Sequence, residues 1–316
     1  MVFLTYLFAT LKSVIYGLSV FFTGDLSEST DVLDILALRF LLSFVVLWFL
    51  KVTKIVKIRV GFKDFIKKDN RPQFLGSLLL AAIFEPVLYM FFETVGISMS
   101  SGITTAVILS LSPISSCIVE EILLKEKSTL LQKIFLGVGI VGVIYISVNT
   151  DTSAGKDSVL GITCLVLAVV SGSLFTAFSR KSSKAFNSME RTYIAAALGM
   201  IIFNFINVIR HIIAGNILDY FKPYFNLQNM IGFIFLGVVS TIVATGMGNF
   251  TLAHAQISTM AAFGGISTLT TIAAGVILWN EKLELYHIIG LTLIVARMVV
   301  VSYVAIKKDK KVKTQQ

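Results

Sequence analysis

Charged residues are scarce in this sequence: 14% of its 316 residues are Asp, Glu, Lys or Arg, and 56% are hydrophobic. Soluble domains carry about 25% charged residues, so the composition excludes a soluble domain and indicates a polytopic membrane protein. The net charge of +9 does not indicate a nucleic-acid partner. The basic residues lie in short stretches between apolar runs, which is the pattern of membrane topology.

Residues that hold metals and cofactors are also few. The two cysteines, Cys117 and Cys164, both lie inside apolar runs, and the three histidines are far apart. Neither set has the spacing of metal ligands. The sequence has no Walker A motif, no GxSxG elbow and no dinucleotide-binding glycine pattern. We therefore expect no metal, no cofactor and no catalytic residues.

Long apolar runs fill most of the chain. Ten of them have the length of about 17–25 residues that a membrane-spanning helix needs. An all-α integral membrane protein of ten transmembrane helices in a lipid bilayer is therefore expected. The predicted spans are 3–23, 32–50, 74–95, 103–124, 134–150, 158–178, 192–209, 229–249, 257–279 and 285–306.

Basic residues lie mostly in alternate loops. With the N-terminus inside, twenty of the 27 Lys and Arg residues fall in inner loops and the C-terminal tail, and four in outer loops. Cytoplasmic loops of membrane proteins carry the excess of Lys and Arg. This asymmetry predicts a protein of the cell membrane with both termini in the cytoplasm.

The two halves of the chain repeat each other at an offset of 155 residues. Leu-Leu-Lys-Glu-Lys at 123–127 corresponds to Leu-Trp-Asn-Glu-Lys at 278–282, and Ser112 corresponds to Ser267. Each half has five spans, so the second half is expected to enter the membrane in the opposite orientation. Inverted repeats of this kind indicate a transporter with its substrate site near the midplane. The predicted parts are repeats at 1–150 and 158–306, an outer linker at 151–157 and a cytoplasmic tail at 307–316.

Several motifs resemble a known family. The runs are Gly-Ile-Ser-Met-Ser-Ser-Gly at 96–102, Leu-Ser-Leu-Ser-Pro at 109–113 and the Leu-Leu-Lys-Glu-Lys run that follows. Together they resemble the EamA-type repeat of the drug/metabolite transporter superfamily, and Arg39 matches the usual arginine of that repeat. The resemblance covers nearly the whole chain. It implies a secondary carrier with ten helices, often an exporter of amino acids or other small metabolites.

The third span has a charge and a helix breaker at its centre, Glu85-Pro86. A charged side chain at the bilayer centre costs about 2.5–3.5 kcal/mol on insertion scales and has a functional role by default. Proline lacks the backbone N–H that a regular helix requires, so this backbone needs protein or water beside it, not lipid. Tyr89 and Glu93 follow at intervals of four residues, which places all three side chains on one broad helix face.

Three basic residues, Lys12, Arg39 and Arg297, also lie within predicted spans. Intramembrane bases face the bundle interior and pair with acids or with ligand. These three basic residues and the two acidic residues Glu85 and Glu93 have a net charge of +1 together. That net charge favours a substrate with a carboxylate or phosphate group. Glu85 and Glu93 are also candidates for proton or ion coupling. The predicted substrate ligands are Lys12, Arg39, Glu85, Tyr89 and Arg297.

Other interpretations of these residues stay open. The alternative interpretation is that the acids and bases form buried ion pairs that hold helices together, with Asp34 able to supply the balancing charge. An integral membrane enzyme or a lipid-handling protein would expose a polar cluster near one interface, and a channel would conduct without saturation. The thin spread of polar residues favours a carrier. The sequence has no signal for a particular oligomeric state.

Span seven contains two amides that have a structural interpretation. Asn204 and Asn207 lie three residues apart. Amide side chains within a bilayer form hydrogen bonds between helices, at about 1 kcal/mol or less each. We expect these two to hold span seven against a neighbouring helix.

Overall fold

The computed structural model describes residues 2–59, 71–123, 158–254 and 257–280. Single residues of helical conformation are also described at 134, 141, 285, 288, 289, 292 and 296. All regular secondary structure within these ranges is helical. Most of the predicted spans 134–150 and 285–306, and with them the predicted ligand Arg297, lie outside the described residues.

Eleven α-helices occur in the described ranges, and two π-helical segments interrupt the longer ones. The α-helices are α1 Val2–Ser27, α2 Val32–Val52, α3 Arg71–Ala82, α4 Tyr89–Ser98, α5 Gly102–Leu109, α6 Ser112–Leu123, α7 Val159–Ser182, α8 Ser188–Ile213, α9 Leu227–Ile234, α10 Thr245–His254 and α11 Ile257–Leu278. The first π segment, Ile83–Leu88, joins α3 to α4, and the second, Phe235–Ala244, joins α9 to α10.

Six of the predicted spans are confirmed as helical segments that are long and apolar enough to cross a bilayer. They include α1, whose apolar run Lys12 interrupts. The six segments are Phe3–Ser27, Val32–Val52, Pro72–Ser98, Val159–Ser182, Ser188–Ile213 and Leu227–His254.

The fourth predicted span, 103–124, is two short helices with a break between them. α5 ends at Leu109, and α6 begins at Ser112 with Pro113 as its second residue. Proline is well suited to the first turn of a helix, where its missing N–H has no intrahelical partner to lose. The proline therefore begins a new helix here instead of kinking a continuous one.

The predicted interruption at Glu85-Pro86 is confirmed. Glu85 has extended backbone dihedral angles, φ −141° and ψ 116°, within the first π segment. Pro86 is buried, and it packs near Gly199 of α8. Protein therefore packs against the irregular backbone at Pro86, as the absence of water from a bilayer core requires.

The second π segment has no proline and was not predicted. Two hydroxyl groups, one within it and one directly after it, bond to carbonyls five residues earlier: Thr241 Oγ1 donates to Leu236 at 2.8 Å, and Thr245 Oγ1 of α10 donates to Ser240 at 3.4 Å. Ser43 of α2 also donates to the Gly237 carbonyl at 2.7 Å. These bonds give carbonyl groups of the widened turns side-chain partners, which is how irregular backbone at membrane depth is satisfied.

α1 lies among elements from the second half of the chain, where it packs against α10, α11 and the second π segment. The approach to α11 is close, because a Cβ on Gly17 would lie 2.6 Å from the Ser267 carbonyl oxygen. Thr271 Oγ1 donates to the Gly17 carbonyl at 3.1 Å. Small residues allow such close helix contacts in membranes. The two halves of the chain therefore share one interior.

Large apolar side chains cover the outside of the bundle. Phe205 is 67% exposed, and Val159 and Ile213 are exposed to a similar degree or more. An extensive exposed apolar surface on a bundle of long helices is a lipid-facing surface. The chain is therefore an integral membrane protein.

One end of α2 is joined to α8 by a polar network that we call the Asp34 network: Asp34, Asn207, Arg210 and His211. Asp34 accepts from Asn207 Nδ2 at 2.9 Å and from Arg210 Nη2 at 2.7 Å, and it lies 2.8 Å from His211 Nε2. Asn204 Nδ2 donates to the Ala37 carbonyl of α2 at 3.0 Å. The predicted interhelical bonds of both asparagines are confirmed. Asp34 is thus already neutralised within its own network.

Removal of the Asp34 carboxylate is expected to destabilise the protein. Asp34→Ala leaves the His211 imidazole and the Asn207 amide without their shared acceptor, while Arg210 keeps its ion pair with Asp31. Loss of the acceptor of a buried donor costs about 1–3 kcal/mol. Thermal unfolding in detergent measures the loss. Asp219→Ala is the control, because Asp219 pairs with Lys222 on an exposed surface at 3.9 Å, where a pair contributes about 0–1 kcal/mol. Equal unfolding temperatures for the two variants would contradict the assignment.

α8 begins earlier than predicted. Asn187 and Glu190 form a capping box, in which each side chain accepts a hydrogen bond from the backbone N–H of the other. Such a box fixes the start of a helix. Arg191, which lies just outside the predicted span 192–209, is therefore in the first turns of α8 and only 3% exposed. The predicted start of this span was wrong by four residues.

Candidate functional site

A polar cavity lies among α1, α4, α6, α7 and α10. It consists of two adjoining voids of about 170 and 160 Å³. A void of about 680 Å³ lies elsewhere, at the ends of α1 and α4 and the starts of α5 and α7, and backbone and serines provide much of its lining. Glu28 is the one acidic or basic residue that lines this larger void among the described residues. The smaller pair, the central cavity, is lined by both an amine and carboxyl groups, those of Lys12, Glu85 and Glu93. Its shared polar lining is Lys12, Tyr16, Tyr89, Glu93, Ser112, Ser116 and Thr176.

Lys12 reaches the central cavity from the middle of α1. Its Nζ is 5.6 Å from the centre of the Tyr16 ring, a cation–π contact. A Cβ on Gly248 would lie 3.5 Å from Nζ, so the absence of a side chain there leaves room for the ammonium group. Among the described residues, no carboxylate oxygen lies within 4.0 Å of Nζ. The ammonium group is available to a ligand.

Glu85 lines the same cavity from the first π segment. Its charge interacts electrostatically with that of Lys12, but within the described part of the chain the two groups form no ion pair at 4.0 Å or less. The non-helical backbone at Glu85 turns this side chain differently from a regular helical position. Glu85 and Lys12 are therefore an acid and a base of this cavity that are near each other and, among the described residues, not directly paired.

Tyr89 and Glu93 form a bonded pair one turn apart on α4. The Tyr89 hydroxyl donates to Glu93 Oε1 at 2.6 Å. This is a short, charge-assisted bond if the carboxylate is ionised. Both residues line the cavity. The predicted common face of Glu85, Tyr89 and Glu93 is therefore a wall of this cavity.

Gly172 of α7 makes room for the Tyr89 ring. A Cβ at Gly172 would lie 3.0 and 3.2 Å from two ring carbons, whereas a Cβ at Gly76 of α3 would meet no atom within 4 Å. Gly172→Ala is therefore expected to overpack this contact and to lower stability by about 1 kcal/mol or more. Gly76→Ala is the matched control and should leave thermal unfolding unchanged or slightly higher, because alanine favours helix. A higher unfolding temperature for Gly172→Ala would count against this packing.

Arg39 lies behind the cavity wall. Its Nε donates to Thr241 Oγ1 at 2.9 Å and its Nη2 to Ser240 Oγ at 3.2 Å. The residue is 2% exposed, and Ser240 is the partner that lines the cavity. The charge of Arg39 still interacts electrostatically with Glu93 and, more weakly, with Glu85. The structure thus brings four of the predicted site residues to one cavity: Lys12, Glu85, Tyr89 and Glu93. Arg39 does not line the cavity itself but contacts Ser240, which does.

The hydroxyl lining is the part of the site that the sequence analysis missed. Tyr16 donates to or accepts from Thr245 at 3.1 Å, and Ser116 bonds Ser173 of α7 at 3.4 Å. The internal repeat of the sequence was the one signal that pointed to any of these hydroxyl groups. It matches Ser112 with Ser267, and both line the central cavity. Serine and threonine hydroxyl groups in helices also hydrogen-bond their own backbone, so their positions in the sequence alone could not identify them as part of a site.

Comparisons with known proteins agree with this architecture. The family model described as "EamA-like transporter family" matches the chain twice, at residues 3–148 and 159–303. A solved structure described as "Crystal structure of protein" has a TM-score of 0.66 at 13% identity, and the match covers 96% of this chain and 98% of that one. It shows the fold.

Curated relatives carry transporter names. The chain is 31% identical over 285 residues to "Uncharacterized transporter YcxC" of Bacillus subtilis (strain 168), which covers 90% of this chain and 88% of that protein. It is 25% identical over 230 residues to an "Uncharacterized transporter" of Archaeoglobus fulgidus, which covers 72% of this chain and 77% of that protein. These findings point to a transporter rather than an enzyme. With two copies of the family domain along most of its length, the chain belongs to the EamA-like transporter family.

Proposed function

We propose that this transporter is a secondary carrier of the cell membrane that exports amino acids or other small carboxylate-bearing metabolites. In this proposal ten transmembrane helices form two inverted five-helix repeats, at 1–150 and 158–306, and both termini are cytoplasmic. The strong asymmetry of Lys and Arg between alternate loops supports the orientation. The odd number of spans in each predicted half supports the inversion.

One observation carries the proposal: Lys12 and Glu85 line the same cavity, close enough to interact and without a direct ion pair among the described residues. Unpaired charges of opposite sign inside a bilayer are costly, and the usual reason for keeping them is a ligand or an ion pathway. An amino acid has both complementary groups. Its carboxylate would bind Lys12, and its ammonium group would bind Glu85.

The remaining predicted residues have supporting roles in the same scheme. The Tyr89 hydroxyl and the Glu93 carboxylate offer a second polar contact, and Glu93 shares proton or ion coupling with Glu85. Arg39 offsets the charge of Glu93 and fixes the cavity wall through its bond to Ser240. Arg297 stays a predicted ligand from the second repeat.

Alternating access is supported by where the two repeats meet. The repeat-related serines Ser112 and Ser267 face one cavity, and α1 of the first repeat packs on α11 of the second. In inverted-repeat carriers, one repeat rocks against the other around a fixed midplane site. The central cavity lies at such a contact, so movement at this contact would expose it to each side in turn.

The proposal is tested by metabolite profiling and then by flux. Untargeted profiling of cells and medium, with the gene deleted and overexpressed, identifies the metabolite whose extracellular amount follows expression. Purified protein in liposomes should then transport that metabolite with saturation and counterflow. Non-saturating flux would indicate a channel. A headgroup-processing activity without flux would indicate a lipid-handling enzyme.

A further inference from the structure

A second buried arginine, Arg191, ties α8 to α7 and α10. Its Nη1 donates to the carbonyl oxygen of Ser179 at 3.0 Å and to Ser179 Oγ at 2.7 Å, and its Nη2 donates to the carbonyl of Asn249. Ser179 Oγ in turn donates to Asn249 Oδ1 at 2.8 Å, and Asn249 Nδ2 donates to Thr192 Oγ1 at 3.0 Å. Every hydrogen-bond partner of this guanidinium among the described residues is a neutral group.

The positive charge of Arg191 has no counter-ion within the ranges that the structure describes. No carboxylate oxygen there lies within 4.0 Å of it. The carboxylate of the adjacent Glu190 accepts instead from the backbone N–H groups of Arg59 and Asn187. Arg210, by contrast, is paired with two aspartates. A buried charge is costly unless it is paired, so a lone arginine that is 97% buried indicates a missing anion.

Part of the guanidinium is also unused. A guanidinium has five N–H donors in a fixed plane, and Arg191 makes three hydrogen bonds to described residues. Its Nε is fully buried and has no acceptor in the part of the chain that the structure describes. Nε and Nη2 form one edge of the planar group, and such an edge fits the two oxygens of a carboxylate in a bidentate pair.

This edge belongs to a residue next to the central cavity. The Asn249 side chain lines the cavity together with Lys12 and Glu85, and Asn249 also bonds Arg191 through its carbonyl. Arg191 is therefore one residue behind the cavity wall, in the first turns of α8. A shift of α10 relative to α7 and α8 would break the bonds to Asn249 and open the guanidinium to the cavity.

We propose that Arg191 is a second anion site, distinct from Lys12, which binds a carboxylate group through Nε and Nη2 on the Asn249 side of the central cavity. The carboxylate belongs to the transported metabolite or to a free organic acid. Only one part of this proposal rests on the proposed carrier function: that the carboxylate belongs to the transported metabolite. The binding of a carboxylate to Arg191 does not depend on transport.

The experiment uses acetate as the probe and the purified full chain in detergent. The Lys12→Gln variant removes the other candidate anion ligand, and sodium acetate replaces sodium chloride at constant ionic strength. A ligand that binds the folded state raises the unfolding temperature saturably. We expect this rise with acetate. Arg191→Gln added to Lys12→Gln should weaken acetate binding by at least about tenfold, because the variant loses a charge-assisted, bidentate contact to the carboxylate.

Two further variants keep the test decisive. Arg191→Lys keeps the charge but loses the forked edge, so an intermediate affinity is expected even if Arg191→Gln does not fold. Arg210→Gln, which removes an already paired cation, should keep the acetate response. The proposal would be overturned if acetate raised the unfolding temperature of both Arg191 variants as much as that of Lys12→Gln alone. It would also be overturned if the unfolding temperature of Lys12→Gln were the same in acetate and in chloride.

The source of the carboxylate is decided by replacing acetate with the metabolite found by profiling. The metabolite is tested on two proteins, Lys12→Gln alone and Lys12→Gln with Arg191→Gln. If it raises the unfolding temperature of the first protein and not of the second, Arg191 binds the transported substrate. A response to acetate alone assigns it to a free organic acid. Failure of the carrier function appears separately, as absence of saturable flux.

Discussion

Export of the profiled metabolite by Lys12→Gln is expected to show an affinity about ten- to a hundredfold lower than that of the native protein. The reason is the loss of a charge-assisted contact to the substrate carboxylate, which contributes about 1.5–3 kcal/mol. The ammonium group lies in the cavity over the Tyr16 ring and has no ion-pair partner among the described residues. The measurement is the concentration dependence of flux into liposomes.

The matched control for Lys12 is Lys184→Gln. Lys184 is exposed in the turn between α7 and α8, so its replacement changes the net charge equally without touching the cavity. Its flux should equal that of the native protein. Lys12→Arg should recover part of the affinity, because the positive charge is kept in a larger group. If Lys12→Gln transports with native affinity, Lys12 is not a substrate ligand.

Glu85→Gln is expected to lose the dependence of transport on a proton gradient. A carrier that couples one proton sustains about a tenfold substrate gradient per pH unit, which corresponds to 1.36 kcal/mol. Glutamine is close in shape but exchanges no proton, so the variant should equilibrate the substrate to a ratio near one. The measurement is the final substrate ratio across liposomes held at different pH gradients.

Two other glutamates serve as comparisons for Glu85. Glu121→Gln, near the end of α6, should keep native coupling. Glu93→Gln keeps an oxygen acceptor for the Tyr89 hydroxyl and separates the two coupling candidates, because loss of coupling in this variant alone would transfer the role to Glu93. A Glu85→Gln protein with full rate and native pH dependence would make Glu85 a structural residue.

The main features of the fold were predictable because lipid imposes simple rules on sequence. Length and hydropathy identify α1 and α2, and the interruption at Glu85-Pro86 follows from the missing N–H of proline. The second π segment was not predictable in this way. Its hydroxyl partners, such as Thr241, are common in ordinary membrane helices, and only the packing of α2 against it shows their use.

The site was predictable where a residue is costly in lipid. Lys12 and Glu85 are conspicuous because a charge within a bilayer needs a reason. Arg39 is equally conspicuous, but its bonds to Ser240 and Thr241 depend on a contact of residues about 200 positions apart, which no local pattern reveals. Arg191 lies outside the predicted span 192–209, because α8 begins at its Asn187–Glu190 capping box, before its apolar run.

The central claim is that one water-accessible cavity between the two repeats opens to each side of the membrane in turn. The most direct test is labelling of Thr176→Cys, on the cavity wall, by a membrane-impermeant thiol reagent applied from either side, with Cys117 and Cys164 replaced by serine. Val170→Cys, on the exposed apolar face of the same helix, is the control. The account predicts that Thr176→Cys reacts from both sides and Val170→Cys from neither. A Thr176→Cys protein that is unreactive from both sides would contradict it.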